Sequence, residues 1–225
     1  MAKRGFFISF EGGEGGGKST QIKRLKTVLR RNRVPFLVTL EPGGTRIGRK
    51  IRELLLNPKN KNLSNRAELY LYEADRAQHV EEVIRPALEA GKVVITDRYA
   101  DSSSVYQGIC RGLGVGWTEK LNDFATQYLY PDLVIVLDVP ESVGLSRVRN
   151  RLQSDPKLRG KRRVVKLDRL ERERSSFHRK VRKGFIALSK KHSERIKLID
   201  ATQSPDNVSQ QILALIQKRW GKRLR

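Results

Sequence analysis

One stretch of eight residues constrains this chain more than any other. Gly12-Gly13-Glu14-Gly15-Gly16-Gly17-Lys18-Ser19 fits the spacing G-x-x-x-x-G-K-[ST]. It follows the apolar, aromatic run Gly5 to Phe10 and precedes a segment with Ile22, Leu25, Val28 and Leu29 at helical spacing. A strand, a glycine loop and a helix in that order let the backbone curl so that successive N–H groups and the helix N-terminus face an anion. So many glycines would otherwise only weaken the turn and the helix. The loop therefore implies a bound nucleoside triphosphate, with Gly12, Gly13, Glu14, Gly15, Gly16, Gly17, Lys18, Ser19 and Thr20 around it. Lys18 is placed to reach the β- and γ-phosphates and the Ser19 hydroxyl to ligate Mg²⁺. Glu14 would be repelled by phosphates, so a carboxylate there points to another task, such as accepting from a sugar hydroxyl.

The remaining pattern alternates. Strands are predicted at 36–40, 93–96, 133–138 and 196–199. Helices are predicted at 46–56, 65–90 (bent or ended by Pro86), 117–129, 141–152, 168–191 and from Pro205 to about Trp220. Each parallel crossover needs a helix to return the chain, so this alternation predicts an α/β fold, a five-stranded parallel sheet with helices on both faces. Ligands in such sheets bind at the carboxyl ends of the strands, where Glu11, Glu41, Asp97 and Asp138 fall. No repeat or linker divides the 225 residues, and one domain over 1–225 is expected.

Charge narrows the class without naming it. There are 47 Lys+Arg against 24 Asp+Glu, a net +23. Residues 141–200 hold 20 basic and 7 acidic side chains, whereas 61–140 hold 8 and 12. Such a field draws polyanions of any kind. A nucleic-acid-stimulated ATPase is disfavoured, because between Arg147 and Arg174 there is no Phe, Tyr or Trp to stack on bases. No N-K-x-D string is present to read guanine. The single cysteine, Cys110, excludes a disulfide scaffold and fits a reducing compartment. With no apolar run of membrane-spanning length and no signal-peptide pattern, a cytoplasmic protein without membrane partners is expected.

Taken together, FEGGEGGGKST (10–20), EPGGT (41–45), YEADRA (72–77), DRYADSSSVYQG (97–108), PDLVIVLDVPESVGLSR (131–147), DRLERERSSFHRKVRKGF (168–185) and IDATQSPDNV (199–208) resemble the thymidylate kinase family in its bacterial form. The resemblance implies a P-loop NTPase fold and a mobile lid at about 147–169. It also implies Mg²⁺-dependent transfer of the ATP γ-phosphoryl group to dTMP in dTTP biosynthesis, usually by a homodimer. On the same ground Arg98 is expected to bind the dTMP phosphate and Asp97 to support Mg²⁺ and its waters. Tyr72 is expected to stack on thymine, Arg76 to meet a base carbonyl, and Ser103 and Gln107 to hydrogen-bond the base edge. Tyr106 would crowd C2′ and favour deoxyribose, while Glu41 and Arg52 would lie on the rim.

In the bacterial form the lid supplies the catalytic cation. The loop here offers Gly16 and no arginine, so one of Arg147, Arg149 and Arg151, or Arg169, is expected to serve. Arg151 is the first candidate and Arg169 the second, since residues two apart on a helix do not share a face. Two departures stand out: Leu40 where the family usually has Arg, and a basic lid insertion over 152–167. Phosphorylation of another monophosphate, dUMP or UMP, or of a deoxynucleoside is the alternative activity.

Overall fold

The computed structural model describes residues 4–154, 167–221 and 224. Five parallel strands run β1 (Phe7–Glu11), β2 (Phe36–Leu40), β3 (Val93–Asp97), β4 (Leu133–Asp138) and β5 (Ile196–Asp200). They lie in the order β2-β3-β1-β4-β5, with Ser9 beside Thr96 on one side and Val134 on the other. The predicted sheet is thus present, and β1, the strand that feeds the glycine loop, is central and buried along its whole length.

Alternate side chains of the strands feed two layers, as the two-residue period of a strand requires. Ile8 and Phe10 pack with Ile22, Leu25 and Leu29 of α1 (Lys18–Arg31) and with Val208, Ile212 and Ile216 of the last helix. On the opposite face Phe7 and Val94 meet Val80, Ile84 and Tyr99. Val134 and Val136 meet Val105, Tyr106, Val181 and Phe185 there. Helices cover both faces, so the polar ends of the strands alone are left to make a site.

Between these strands lie α2 (Arg46–Leu56) and α3 (Asn65–His79), which continues through a π-helical turn (Val80–Ile84) into α4 (Arg85–Glu89). Pro86 neither ends nor clearly breaks this run. The wider turn just before it absorbs the missing N–H and the ring. Next come α5 (Ala100–Ser103), running on as a π turn (Ser104–Cys110), and α6 (Val115–Thr126). The helical path from Ala100 to Cys110 was not among the predicted elements. Its serines and Gly108 are poor helix formers, and burial of Val105 and Tyr106 against the helix of 175–191 overrides that preference.

The final helices are α7 (Glu141–Ser154), α8 (Ser175–Lys191) and α9 (Pro205–Trp220). Helix α8 begins seven residues later than predicted. The Asp168 carboxylate accepts the N–H groups of Leu170 (2.9 Å) and Glu171 (2.8 Å), which holds 168–173 as a turn. Most of the basic insertion lies outside the described residues.

Helix α7 rests directly on the glycine loop. A Cβ on Gly15 would fall 2.1 Å from the Gly144 carbonyl oxygen, and one on Gly144 would fall 2.3 Å from the Glu14 carbonyl oxygen. Both contacts are with backbone, so neither neighbour can swing aside. Gly144→Ala is expected to lower stability by about 1–3 kcal/mol through overpacking. Gly116→Ala, in an exposed part of α6 with open space around it, is expected to raise stability by about 0.5–1 kcal/mol. Denaturant titration of both variants checks the pair, and equal effects would contradict the contact at Gly144.

Candidate active site

The carboxyl ends of the strands open into a cleft of ≈ 540 Å³. One wall is the loop from Glu14 to Ser19, and another is Asp97 and Arg98 at the end of β3. Glu41, Arg52, Tyr72, Ser103, Tyr106 and Gln107 line the far part, and Arg151 reaches in from α7. Residues separated by more than 130 positions in the chain therefore meet, because every βα connection ends on the same side of a parallel sheet.

Beneath the loop, Glu11 is fully buried and accepts hydrogen bonds from Tyr99 N–H (2.7 Å), Ser102 Oγ (2.6 Å) and Ser9 Oγ (2.9 Å). Burial, with Asp101 nearby, pushes its carboxyl up to about 7. Lys18 is buried as well, and its Nζ donates to the carbonyls of Gly12 (3.3 Å) and Gly13 (3.1 Å). Burial and the Arg98 cation lower its pKa, although Asp97 and Glu14 oppose this. An ammonium held among loop carbonyls stands where phosphate oxygens bound by that loop would meet it.

Arg98 is the centre of the cleft. Its backbone takes φ 70, a conformation that costs a non-glycine residue roughly 1–3 kcal/mol and concentrates at functional sites. Two hydrogen bonds hold it there, Arg98 N–H to Phe10 O (2.9 Å) and Thr96 Oγ1 to Arg98 O (2.8 Å). The guanidinium donates to Gly12 O (3.1 Å) and Ser102 Oγ (3.3 Å), pairs with Glu14 (2.5 Å) and lies 5.0 Å above the Tyr106 ring. Burial alone would raise the Glu14 carboxyl, but Arg98 and Lys18 outweigh it and hold it down to about 2.

Among the lid arginines the structure separates roles. Arg147 donates to Ala201 O (3.2 Å) and Gly15 O (3.4 Å), and Arg149 is exposed. Arg151 lines the cleft and pairs with Glu171 at 3.2 Å. Arg169 does not line it. Its Nε donates to Leu55 O (2.7 Å) and its NH1 pairs with Glu68 (2.6 Å), so the candidate second catalytic cation is committed to the protein's interior.

Arg76 also departs from expectation. It is 1% exposed, is held by Glu41 (3.0 Å), Glu73 (2.7 Å) and Asn122 (2.9 Å), and is not among the residues lining the cleft. Glu41 borders the cleft but turns its carboxylate inward to Arg76 and to His79 Nδ1 (2.8 Å). Arg52 is on the rim and donates to Pro42 O (2.7 Å). Gly12 is buried and Gly13 half-buried, Thr20 is exposed on α1, and none of the three lines the cleft.

For a metal, Ser19 and Asp97 are oxygen-bearing residues that line the cleft beside the loop. No cluster of three or more His, Cys, Asp or Glu able to hold a metal exists among the described residues. Two hard oxygen donors beside a phosphate loop suit Mg²⁺, which keeps several waters and takes the rest of its shell from phosphates.

The family model for thymidylate kinase matches residues 10–212. The chain belongs to the thymidylate kinase family. It is 44% identical over 217 residues to the thymidylate kinase of Lactobacillus helveticus, covering 96% of this chain and 97% of that one. It is 45% identical to the thymidylate kinase of Desulfovibrio desulfuricans, over 94% of each. The crystal structure of thymidylate kinase from Ehrlichia chaffeensis superposes with a TM-score of 0.73 at 28% identity, covering 95% of this chain and all of that one.

Several cleft residues were not singled out from sequence. Leu56 and Leu170 supply apolar wall, and Ser102, Asp168 and Glu171 supply polar wall. Leu40, marked as a departure in the sequence, is a cleft residue, 40% exposed. Glu171 could be found only by its pairing with Arg151 across twenty positions, which no local pattern encodes.

The Glu14 carboxyl, at about 2 in the folded protein against an ordinary 4.5, contributes stability above pH ~4.5 that is lost as pH falls toward 2. Glu14→Gln is expected to make the stability loss between these pH values shallower, as read by denaturant midpoints at each pH. An unchanged slope would show that the Arg98 pair does not control that carboxyl.

Proposed function

We propose that this member of the thymidylate kinase family is an ATP:dTMP phosphotransferase, giving ADP and dTDP. The observation that carries the assignment is that one cleft joins a phosphate loop to an aromatic and amide-lined acceptor half through a single arginine, Arg98. ATP lies along Gly12 to Thr20 and dTMP along Arg52, Tyr72, Ser103, Tyr106 and Gln107. Arg98 holds the acceptor phosphate.

Transfer of a phosphoryl group through a loose transition state needs alignment and cationic charge more than a base. The acceptor atom is already a phosphate oxygen. Lys18 neutralises charge on the β- and γ-phosphates, and Arg151 does so from the lid side once Glu171 releases it. Glu14 fixes the guanidinium of Arg98 and, through the Tyr106 hydroxyl (3.4 Å), faces the sugar. Ser19 and Asp97 would hold Mg²⁺, which would supply charge neutralisation on the phosphates. Arg76 supports the acceptor half from below rather than reading the base.

We assign the working form as a cytoplasmic homodimer. Exposed Tyr70 of α3 and Trp117 and Phe124 of α6, helices packed against one another, offer an apolar face for a second copy. No helix among the described residues is long and apolar enough to cross a membrane.

A coupled ADP assay with ATP and a panel of monophosphates tests the substrate. The expected order places dTMP first; UMP turned over as fast as dTMP would overturn the acceptor assignment. Arg151→Ala is expected to lower kcat by about 10²-fold or more, as loss of a transition-state cation does, with little change in the KM for dTMP. A selective rise in that KM would move Arg151 to acceptor binding.

A further inference from the structure

Below the acceptor half of the cleft sits a carboxylate with no part in the chemistry above. Glu68, in the first turn of α3, is fully buried. Its Oε1 accepts from Gln107 Nε2 at 2.7 Å and from Arg111 Nε at 3.3 Å. Its Oε2 accepts from Arg111 NH2 at 3.3 Å and pairs with Arg169 NH1 at 2.6 Å. A buried carboxylate is tolerated only when its lone pairs are met, and here both oxygens are met by cations or amide hydrogens. Burial alone would raise its pKa, but the Gln107 hydrogen bond and the two arginines turn the shift downward, so it stays an anion.

Two consequences follow from the donors. A glutamine amide can give a carboxylate only its NH₂ group, so the contact with Glu68 decides which way round the Gln107 amide lies. Gln107 also lines the cleft. With Nε2 turned to Glu68, its carbonyl oxygen is the atom left for a bound base. The second consequence concerns the segment that follows the lid insertion. Arg169 N–H donates to Leu56 O (3.1 Å), Arg169 Nε donates to Leu55 O, and Arg111 NH1 pairs with Glu173 at 2.7 Å. The carboxylate that orients the amide therefore also ties down the 167–173 turn, whose Asp168 and Glu171 form the opposite wall of the cleft.

We propose that Glu68 is a positioning residue for base selection: it locks the Gln107 amide with its carbonyl oxygen toward the cleft and joins that amide to the root of the lid. An acceptor in this place favours a pyrimidine whose N3 carries a hydrogen, as in thymine or uracil. It opposes cytosine, whose N3 offers a lone pair. A site built around one hydrogen bond rejects an analogue that leaves its buried polar atom unpaired more strongly than an apolar wall does. Removing the negative charge of Glu68 frees the amide to turn, and the cost of binding cytosine falls while that of binding thymine rises. The inference rests on the assignment of this half of the cleft to dTMP.

The test compares kcat/KM for dTMP and dCMP in the wild type, Glu68→Gln, Glu68→Asp, Gln107→Ala and the Glu68→Gln/Gln107→Ala double variant. Glu68→Asp keeps the charge for both arginines but withdraws it from Gln107, so it serves if Glu68→Gln does not fold. Expected is a fall of about tenfold or more in the dTMP:dCMP ratio in each Glu68 variant, the scale of one hydrogen bond's worth of binding. In the Gln107→Ala background, Glu68→Gln is expected to leave the ratio where Gln107→Ala put it. A merely structural role would lower both substrates alike. The proposal is overturned if the ratio stays at its wild-type value in the Glu68 variants, or if Glu68→Gln shifts it as much without Gln107 as with it. Wild-type protein inactive on dTMP would instead remove the parent assignment, a distinct result.

Discussion

The site depends on how one buried carboxylate is satisfied. Glu11 ends the central strand with nothing but protein around it, and a polar group so placed must find donors or cost several kcal/mol. It finds them in the backbone N–H of Tyr99 and the hydroxyl of Ser102, both beyond the end of the neighbouring strand. That requirement stitches the exit of β3 to the exit of β1. Arg98, lying between Asp97 and Tyr99, is thereby held in its unusual backbone conformation with the guanidinium over the glycine loop. The acceptor half of the cleft is thus built outward from the base of the donor half.

A second layer of ion pairs tunes this arrangement without entering it. Arg76 is enclosed by Glu41, Glu73 and Asn122 below the cleft, and Arg169 by Glu68 and backbone carbonyls beside it. Two arginines that look available in sequence are therefore spent on architecture. Arg52 stands on the rim of the cleft, and Arg98 and Arg151 border it with Lys18. Their carboxylate partners, Glu14 and Glu171, also border it, so each cation is held in place by a group that a phosphate can replace or complement.

Close backbone contact completes the frame. Gly15 and Gly144 meet where a side chain on either would collide with the other segment's carbonyl, and so α7 starts in contact with the loop. Arg147 reinforces this by donating to Gly15 O and Ala201 O, and one helical turn further on Arg151 is carried over the cleft. The position of Arg151 relative to the phosphate loop is thus tied to that contact.

The sequence by itself determined the alternating α/β plan, the phosphate loop and the acidic strand ends, because periodicity, glycine spacing and strand ends are local properties of the chain. The cleft-lining Arg52, Tyr72, Ser103, Tyr106 and Gln107 were marked only by the family resemblance. The helical path from Ala100 to Cys110 was hidden by its serines and Gly108, since tertiary burial of Val105 and Tyr106 outweighs weak local preference. Tertiary structure alone decided which charges border the cleft. Arg76, Arg98, Arg151 and Arg169 are the same residue type in a strongly basic chain, and the carboxylates brought beside each of them distinguish a structural cation from one that borders the cleft. Pairings such as Arg76 with Glu41, Arg98 with Glu14 and Arg169 with Glu68 span from 35 to 101 positions, beyond the reach of any local pattern. Burial makes those pairings obligatory, because an unpaired charge in the interior costs more than the fold can spare.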